Sequence, residues 1–574
     1  MVELLRTRAC STPEAVAYTF LDGARQQPRS INWAQLDRQA SRMARHMVDL
    51  GVRNEPVLLA LPSGLRFIES LFACWYAGAI PVPISLPRHE RLRQRVSAIT
   101  ADAGARFAIG TASAQKLVLP AMSNGGAAEP SRWIDADIAA ASDADGDFAA
   151  PGADLALLQY TSGSTGSPRG VMVTHGNLIH NSAMIANACR HGPDDVVVAW
   201  LPLFHDMGLI GFIVQTAFVG MHCILMSPER FLMNPCRWLQ AMSDYHATGT
   251  AAPNFAYDLC VDRVSAAQRA TLDLRNWRNA LNGSEPIRAA TLSRFASTFA
   301  DCGFRRDAFS VCYGLAEATL FVTGPSAAGG MTRRSSDGRL LAEHEPGGHV
   351  GCGTTFPGVQ LRIADPEALT EVPTGGIGEI WLRGASVAAG YWNNVAATAA
   401  TFHGRLRPSG SAETSQAPHR PDFAVNWLRT GDLGFIAETG ELYITGRLRE
   451  LIIVAGKNHF PNDIEHSCEA ADPAIAPSGA VAFSVDFDGL ERLVVCAEVR
   501  SDSIKHLNAD LVCRNVARAV AADNDIAPHA VVLLPPGALP RTSSGKLKRL
   551  ATRGAYLDRT LERLEASLDE CTTV

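Results

Sequence analysis

The chain has 574 residues, too many for one hydrophobic core, so two or more domains are expected. With 47% hydrophobic and 19% charged residues and a net charge of -6, it reads as a soluble globular protein, and no Lys/Arg run is long enough to track a nucleic-acid backbone. Its 13 cysteines form no CxxC pair and no zinc-ligand spacing, and the opening MVELLRTRACSTPEAV carries Glu3 and no apolar stretch, so reduced thiols, no secretory leader and a cytoplasmic location are expected.

Along the chain, Val57–Leu61, Leu65–Ala77 and Ile80–Ile84 read as strand, helix and strand. The theme returns at Phe107–Ile109, Leu155–Tyr160 and Val196–Trp200, which predicts βαβ units and a parallel sheet. Between them, Ser123 to Asp154 is dominated by Ala, Gly, Asp and Ser and reads as a surface excursion or linker. The run Leu209 to Met226 nearly suffices for a membrane span, but Gln215, Thr216 and His222 interrupt it and Gly211 and Gly220 loosen it. A helix buried between sheets is expected there, and no transmembrane segment.

From about Gly351 the pattern changes to short strands with turns, at Val359–Ile363, Gly378–Arg383 and Glu441–Ile444, which suits a small barrel-like subdomain. After Gly446 the last 128 residues carry strand candidates at Leu451–Val454, Ala480–Ser484, Leu493–Val499 and Val531–Leu534, with helices near Asn462–Ala471 and Leu507–Asp523. The expected fold is therefore α/β. A large multi-subdomain N-terminal domain (1–446) is followed by a small α+β C-terminal domain (447–574).

The densest chemical signal is Leu158–Gly170, LQYTSGSTGSPRG, a strand running straight into a polar loop. Gly163 and Gly166 let the backbone turn sharply, so that successive N–H groups and the hydroxyls of Thr161, Ser162, Ser164 and Thr165 can cradle a phosphate. The spacing GxxxxGK[ST] is absent, so this is not a Walker loop.

On this loop the chain resembles the adenylate-forming superfamily of acyl-CoA synthetases, nonribosomal-peptide adenylation domains and luciferases, with Arg169 where that family usually has Lys. Further phrases follow in the family's order. In WLPLFHDMG (Trp200–Gly208) the resemblance makes His205 the residue that closes over the carboxylate site. Gly283, Ser284, Glu285 and Pro286, and then Tyr313–Glu317 (YGLAE), resemble two adenosine-site motifs, with Tyr313 and Gly314 at the adenine. Glu317, with Thr165, is implied at Mg²⁺, which favours a carboxylate plus phosphate oxygens.

Asp432, in Thr430–Gly431–Asp432, is implied on the ribose; Arg447 is implied on the nucleotide and Arg449 at the hinge, both in YITGRLRE. Lys546, in PRTSSGK, is implied as the catalytic cation of a mobile C-terminal domain, where it would stabilise the charge that grows as carboxylate attacks phosphorus.

Several phrases are similar to the fatty acyl-AMP ligases: LQYTSGSTG, LPLFHDMGLIG, YGLAEATLFV, GEIWLRGASVAAGYWN and LIIVAGKNHFPNDIE. That resemblance implies ATP-dependent activation of a fatty acid to its acyl-adenylate, with release of pyrophosphate. Transfer to an acyl carrier protein, or to a carrier domain of a polyketide or nonribosomal peptide synthase, is expected next. No carrier domain precedes the end at Val574, so the acceptor is expected on another molecule.

Met207, Leu209, Ile210 and Phe212 could wall an acyl tunnel or be plain core. In that group an insertion after YGLAE restrains the C-terminal domain and disfavours CoA. Here the interval Val322–Val350 is only 29 residues, which keeps a fatty acyl-CoA synthetase as the alternative. Intact Glu317, Asp432, Arg447 and Lys546 argue against an inactive adenylate-binding module.

Overall fold

Runs that are apolar at every position suit strands buried on both faces of a parallel sheet. Pro56–Ala60 is such a run, and each of its residues is buried. The structure, a computed structural model, describes residues 1–21, 27–88, 90–123, 131–141, 154–161, 168–325, 332–335, 338–342, 345, 348–408, 425–454, 457–487, 490–542 and 545–564.

The largest sheet orders its seven strands Phe309–Val311, Asn279–Asn282, Gly249–Ala252, Val196–Ala199, His222–Leu225, Val16–Phe20 and Arg29–Asn32. All neighbours are parallel except the last pair. A second sheet is parallel throughout, in the order Ile80–Pro83, Pro56–Ala60, Phe107–Gly110, Arg132–Asp135. A third, of Val359–Ala364, Gly378–Gly384, Leu428–Ile436 and Leu442–Arg447, is antiparallel.

Three expectations need correction. The segment Leu155–Thr161 is not a member of a parallel sheet; it pairs antiparallel with Arg169–Thr174. The stretch Ser123–Asp154 is not only an excursion. It contains the strand Arg132–Asp135, which edges the second sheet, and the helix Ala136–Ala140, capped by Asp135.

The apolar run from Leu209 divides into a π-helical turn (Leu209–Val214), an α-helix (Gln215–Val219) and the strand His222–Leu225. Gly220, at φ +85°, takes the left-handed position that ends a helix, and a short apolar run cannot by itself tell strand from helix. Among the described residues no helix is long and apolar enough to cross a membrane.

From Ile452 onward the chain builds a sheet of its own, with Ile475–Phe487 antiparallel to Leu490–Val499 and the latter parallel to Ala530–Leu534. The two apolar clusters that flank it draw their buried residues from this segment alone. The segment is tied to the preceding residues by charge. Arg288 pairs with Glu469, whose side chain is 9% exposed, and Arg549, held within the segment by Asn462 and by Glu465 at 2.6 and 2.7 Å, reaches back to Glu450.

Truncating one partner of a mostly buried pair strands the other charge. Arg288→Ala should therefore speed tryptic cleavage in Arg447–Arg449 by about 10-fold, a shift of ~1.4 kcal/mol in the docking equilibrium. Arg288→Glu combined with Glu469→Arg should restore resistance; unchanged cleavage in Arg288→Ala would show that the pair does not hold the segment.

Candidate active site

The parallel strands of the largest sheet end together, and the turns that follow them converge on one cavity of about 2380 Å³. Binding at the carboxyl ends of parallel strands is the general rule for open α/β sheets. After Val196–Ala199 comes the turn Trp200–His205, held from behind by Trp200 stacked on Phe231 at 3.9 Å and by the Gln159 amide donating to the Phe204 carbonyl at 3.0 Å. After Asn279–Asn282 comes GSEP, and after Phe309–Val311 comes YGLAE.

Asp432 is the hub of the polar end. It is 6% exposed, and it accepts hydrogen bonds from Tyr313 Oη at 2.7 Å and from Arg447 Nε at 2.9 Å. Burial pushes the Tyr313 hydroxyl well up, and the neighbouring Asp432 carboxylate adds to it. Asp432 and Arg447 sit opposite one another in the antiparallel sheet, so strand register alone delivers this ion pair.

Glu317 borders the same cavity and its Oε1 accepts from Tyr391 Oη at 2.7 Å. Burial raises its carboxyl, with the Tyr391 bond and Arg447 opposing. Among the described residues no three acidic, His or Cys groups gather as a metal cage. A single partly buried carboxylate bordering the cavity nevertheless fits an ion that takes most of its ligands from phosphates and water.

Glu285 accepts from the Phe255 backbone N–H at 3.2 Å, and Ser284 occupies the left-handed region at φ +75°. His205 opens the short turn Asp206–Gly208. Burial pushes its imidazole down to about 4, with Lys546 and Arg95 adding to the shift and Asp206 opposing it, so the ring is neutral at pH 7.

Lys546 arrives from the C-terminal segment in a tight loop. The Thr542 N–H donates to the Lys546 carbonyl at 2.7 Å, and the Lys546 N–H donates to Thr542 Oγ1 at 2.9 Å. Gly545, at φ +85°, makes this possible, because side chains rarely adopt that left-handed backbone conformation. Desolvation lowers the Lys546 ammonium, while the carboxylates of Asp206, Glu285 and Asp432 pull it back. A desolvated cation among three carboxylates is a group placed for charge, not for packing.

Thus Thr161, His205, Met207, Phe212, Gly283, Ser284, Glu285, Pro286, Tyr313, Gly314, Glu317, Asp432, Arg447, Arg449 and Lys546 all border one cavity. Ser162, Gly163, Ser164, Thr165 and Gly166 lie outside the described residues; Thr161, the last described residue before them, pairs with Arg169. Leu209 and Ile210 do not line the cavity; both are wholly buried in the main core. The reason is helical phase: the π-helical turn offers Gly211 and Phe212 to the cavity and the preceding residues to the core.

Sequence reasoning missed Tyr391, the partner of Glu317, although it lies within the GEIWLRGASVAAGYWN phrase. The Arg169 guanidinium stands 5.3 Å from the centre of the same tyrosine ring. It missed Phe255 and Arg549 as well, and nothing local in the sequence marks either.

The family described as AMP-binding enzyme matches residues 5–392, and the Disco-interacting protein 2-like AMP domain family matches 449–566. The chain is 38% identical over 584 residues to the medium-chain-fatty-acid–[acyl-carrier-protein] ligase JamA of Moorena producens (strain JHB), covering 99% of this chain and 96% of that one. Its fold is similar to that of a fatty acyl-adenylate ligase from L. pneumophila in complex with acyl adenylate and pyrophosphate, with 33% identity, a TM-score of 0.72 and coverage of 99% and 97%. A structure from a study of fatty acyl-adenylate ligases from E. coli and L. pneumophila aligns at 30% identity with a TM-score of 0.83, covering 97% of each chain. The chain belongs to the AMP-binding enzyme family, and within it to the adenylate-forming ligases that activate fatty acids.

Proposed function

We propose that this ligase converts a fatty acid and ATP to acyl-adenylate and pyrophosphate, then hands the acyl group to the phosphopantetheine thiol of a carrier protein, forming a thioester and releasing AMP. One observation supports the first half above all others. Lys546 is carried from a separate hydrophobic unit into the cavity that Asp432, Tyr313 and Glu317 already border.

A carboxylate oxygen attacks the α-phosphorus and a new P–O bond forms. The bond from that phosphorus to the bridging oxygen breaks, and pyrophosphate leaves with the electron pair. Little covalent chemistry falls to the protein in such a displacement, so positioning and charge neutralisation dominate. Asp432 holds the ribose hydroxyls while Arg447 keeps its carboxylate aimed. Tyr313 presents its ring to the adenine. Neutral His205 stands at the entrance to the acyl region as a hydrogen-bonding and steric guard. Lys546 bridges the attacking carboxylate and the α-phosphate. Glu317, with Thr165, is the group that would hold Mg²⁺, whose charge offsets that of the phosphates.

The second half needs the C-terminal segment to turn about Arg449, a hinge motion that withdraws Lys546 and admits a thiol. That JamA is named an acyl-carrier-protein ligase supports a carrier as acceptor. The insertion supports restraint of the hinge. Its flanks pair as strands Arg333–Arg334 and His349–Val350, and Thr332 Oγ1 lies 2.8 Å from Tyr443 Oη on the strand that leads into the hinge. Leu341 and Val350 are buried, whereas Leu340 is 59% exposed, so the insertion grips through fewer apolar groups than its sequence offers.

The purified protein should accumulate acyl-adenylate from ATP and a panel of acids, form little acyl-CoA, and load a phosphopantetheinylated carrier, all read by mass spectrometry. Deleting Arg334–Glu345 should raise acyl-CoA formation without abolishing adenylation. Efficient acyl-CoA synthesis by the intact protein would make it an acyl-CoA synthetase instead.

A further inference from the structure

The cavity does not stop at the carboxylate site. It continues along the face of the largest sheet, past Phe212, Leu281, Val197 and Ile185, and reaches His191. Strand register fixes the depth. Val197 is level with Gly249 and Gly249 with Asn279, and the Asn279 side-chain amide donates to the Cys189 carbonyl at 2.8 Å. Gly283 of GSEP is four residues further along that strand, so the Cys189–His191 turn lies roughly 13 Å from the nucleotide motif, at the opposite ends of the strands. The intervening walls are apolar, as a hydrocarbon chain requires.

His191 is the exception. Its backbone is pinned by its N–H donating to the Ala186 carbonyl at 2.9 Å. Its Nδ1 lies 3.5 Å from Nε2 of Gln215, a side chain with no exposed surface. The tautomer that lets Nδ1 accept from this amide is the one that carries the ring proton on Nε2. That Nε2 is buried and has no hydrogen-bond partner among the described residues, and Gln215 Oε1 is in the same condition. A buried donor left unpaired at the end of an apolar channel is costly, and buried polar groups in native proteins are matched by something.

We propose that His191 reads the far end of the acyl chain, and that the preferred acid carries an oxygen there, as a hydroxyl or keto group. This rests on the fatty-acid reading above and adds the chemistry of the tail. Burial pushes the imidazole down to about 4 against the pull of Asp195, so it offers a hydrogen bond and not a charge. A neutral oxygen therefore matches it better than a second carboxylate.

The test is ATP–pyrophosphate exchange with paired acids, plain and oxygenated at the terminal or penultimate carbon, in even-chain lengths from octanoic to tetradecanoic. At the best length, kcat/KM for the oxygenated acid should exceed that for the plain acid on the order of 10-fold. His191→Leu should reverse that preference by relieving the unpaired donor, and His191→Gln, which keeps an N–H, should retain part of it. A wild-type preference for the plain acid at every length would overturn the proposal, with a bound water capping the imidazole instead; that comparison uses the wild-type enzyme alone and needs no variant to fold. Exchange with neither series would overturn the fatty-acid reading itself, and the tail assignment with it.

Discussion

Lys546→Ala should lower acyl-adenylate formation by on the order of 100-fold or more, as expected for loss of a charge-stabilising donor, while the melting temperature stays nearly unchanged. The two halves of this expectation have one origin. The ammonium is desolvated, and its field reaches Asp206, Glu285 and Asp432. It makes no side-chain hydrogen bond or ion pair among the described residues, and desolvating an ammonium without close pairing contributes little to folding. Its surroundings make sense once a carboxylate and an α-phosphate lie between them. A group that costs the empty enzyme something and stabilises the transition state is where activity and stability are exchanged. Near-normal adenylation in this variant, measured in a single turnover, would remove Lys546 from the chemistry. A fall of several degrees in melting temperature would instead assign it to docking of the C-terminal segment.

Much of this site was legible because its chemistry-bearing residues stand within contiguous phrases that follow strands. The expectation for Asp432 and Arg447 came from two separate phrases, and the antiparallel register then placed them opposite one another. What was illegible depends on topology. Glu317 and Tyr391 are 74 positions apart, Glu450 and Arg549 are 99 apart, and Arg288 and Glu469 are 181 apart. No local pattern announces such pairs, since only the completed sheets bring them within reach.

The misreadings have local causes. Leu209–Met226 was legible as apolar but not as three elements, because periodicity is uninformative when nearly every residue is buried. Arg132–Asp135 was hidden by its shortness and by the Ala- and Asp-rich composition around it. Leu209 and Ile210 were candidates on composition, and helical phase turned them to the core while Gly211 and Phe212 took the cavity. The His191 end of the cavity was invisible for a different reason: a single histidine after a helix carries no signal until the strand register shows how deep it lies.

Asp432→Ala should weaken ATP binding on the order of 100-fold, the expected cost of two lost hydrogen bonds to a charged group, and unlike Lys546→Ala it should also lower the melting temperature. The carboxylate is nearly enclosed and satisfies both the Tyr313 hydroxyl and the Arg447 guanidinium, so its removal leaves the buried Tyr313 hydroxyl without its acceptor and the exposed Arg447 without its counter-charge. Glu317→Ala should lose nucleotide affinity by another route, through weaker retention of Mg²⁺. Its defect should therefore shrink as Mg²⁺ is raised, whereas the Asp432→Ala defect should not respond. Titration calorimetry with ATP at low and high Mg²⁺ separates the two, because mass action rescues a weakened metal site but cannot replace a missing ribose acceptor. Wild-type affinity in both variants would show that the nucleotide lies elsewhere in the cavity. Equal rescue of both would place the metal, and not the ribose, beside Asp432, and the ion pair to Arg447 would then be the feature that orients a metal ligand.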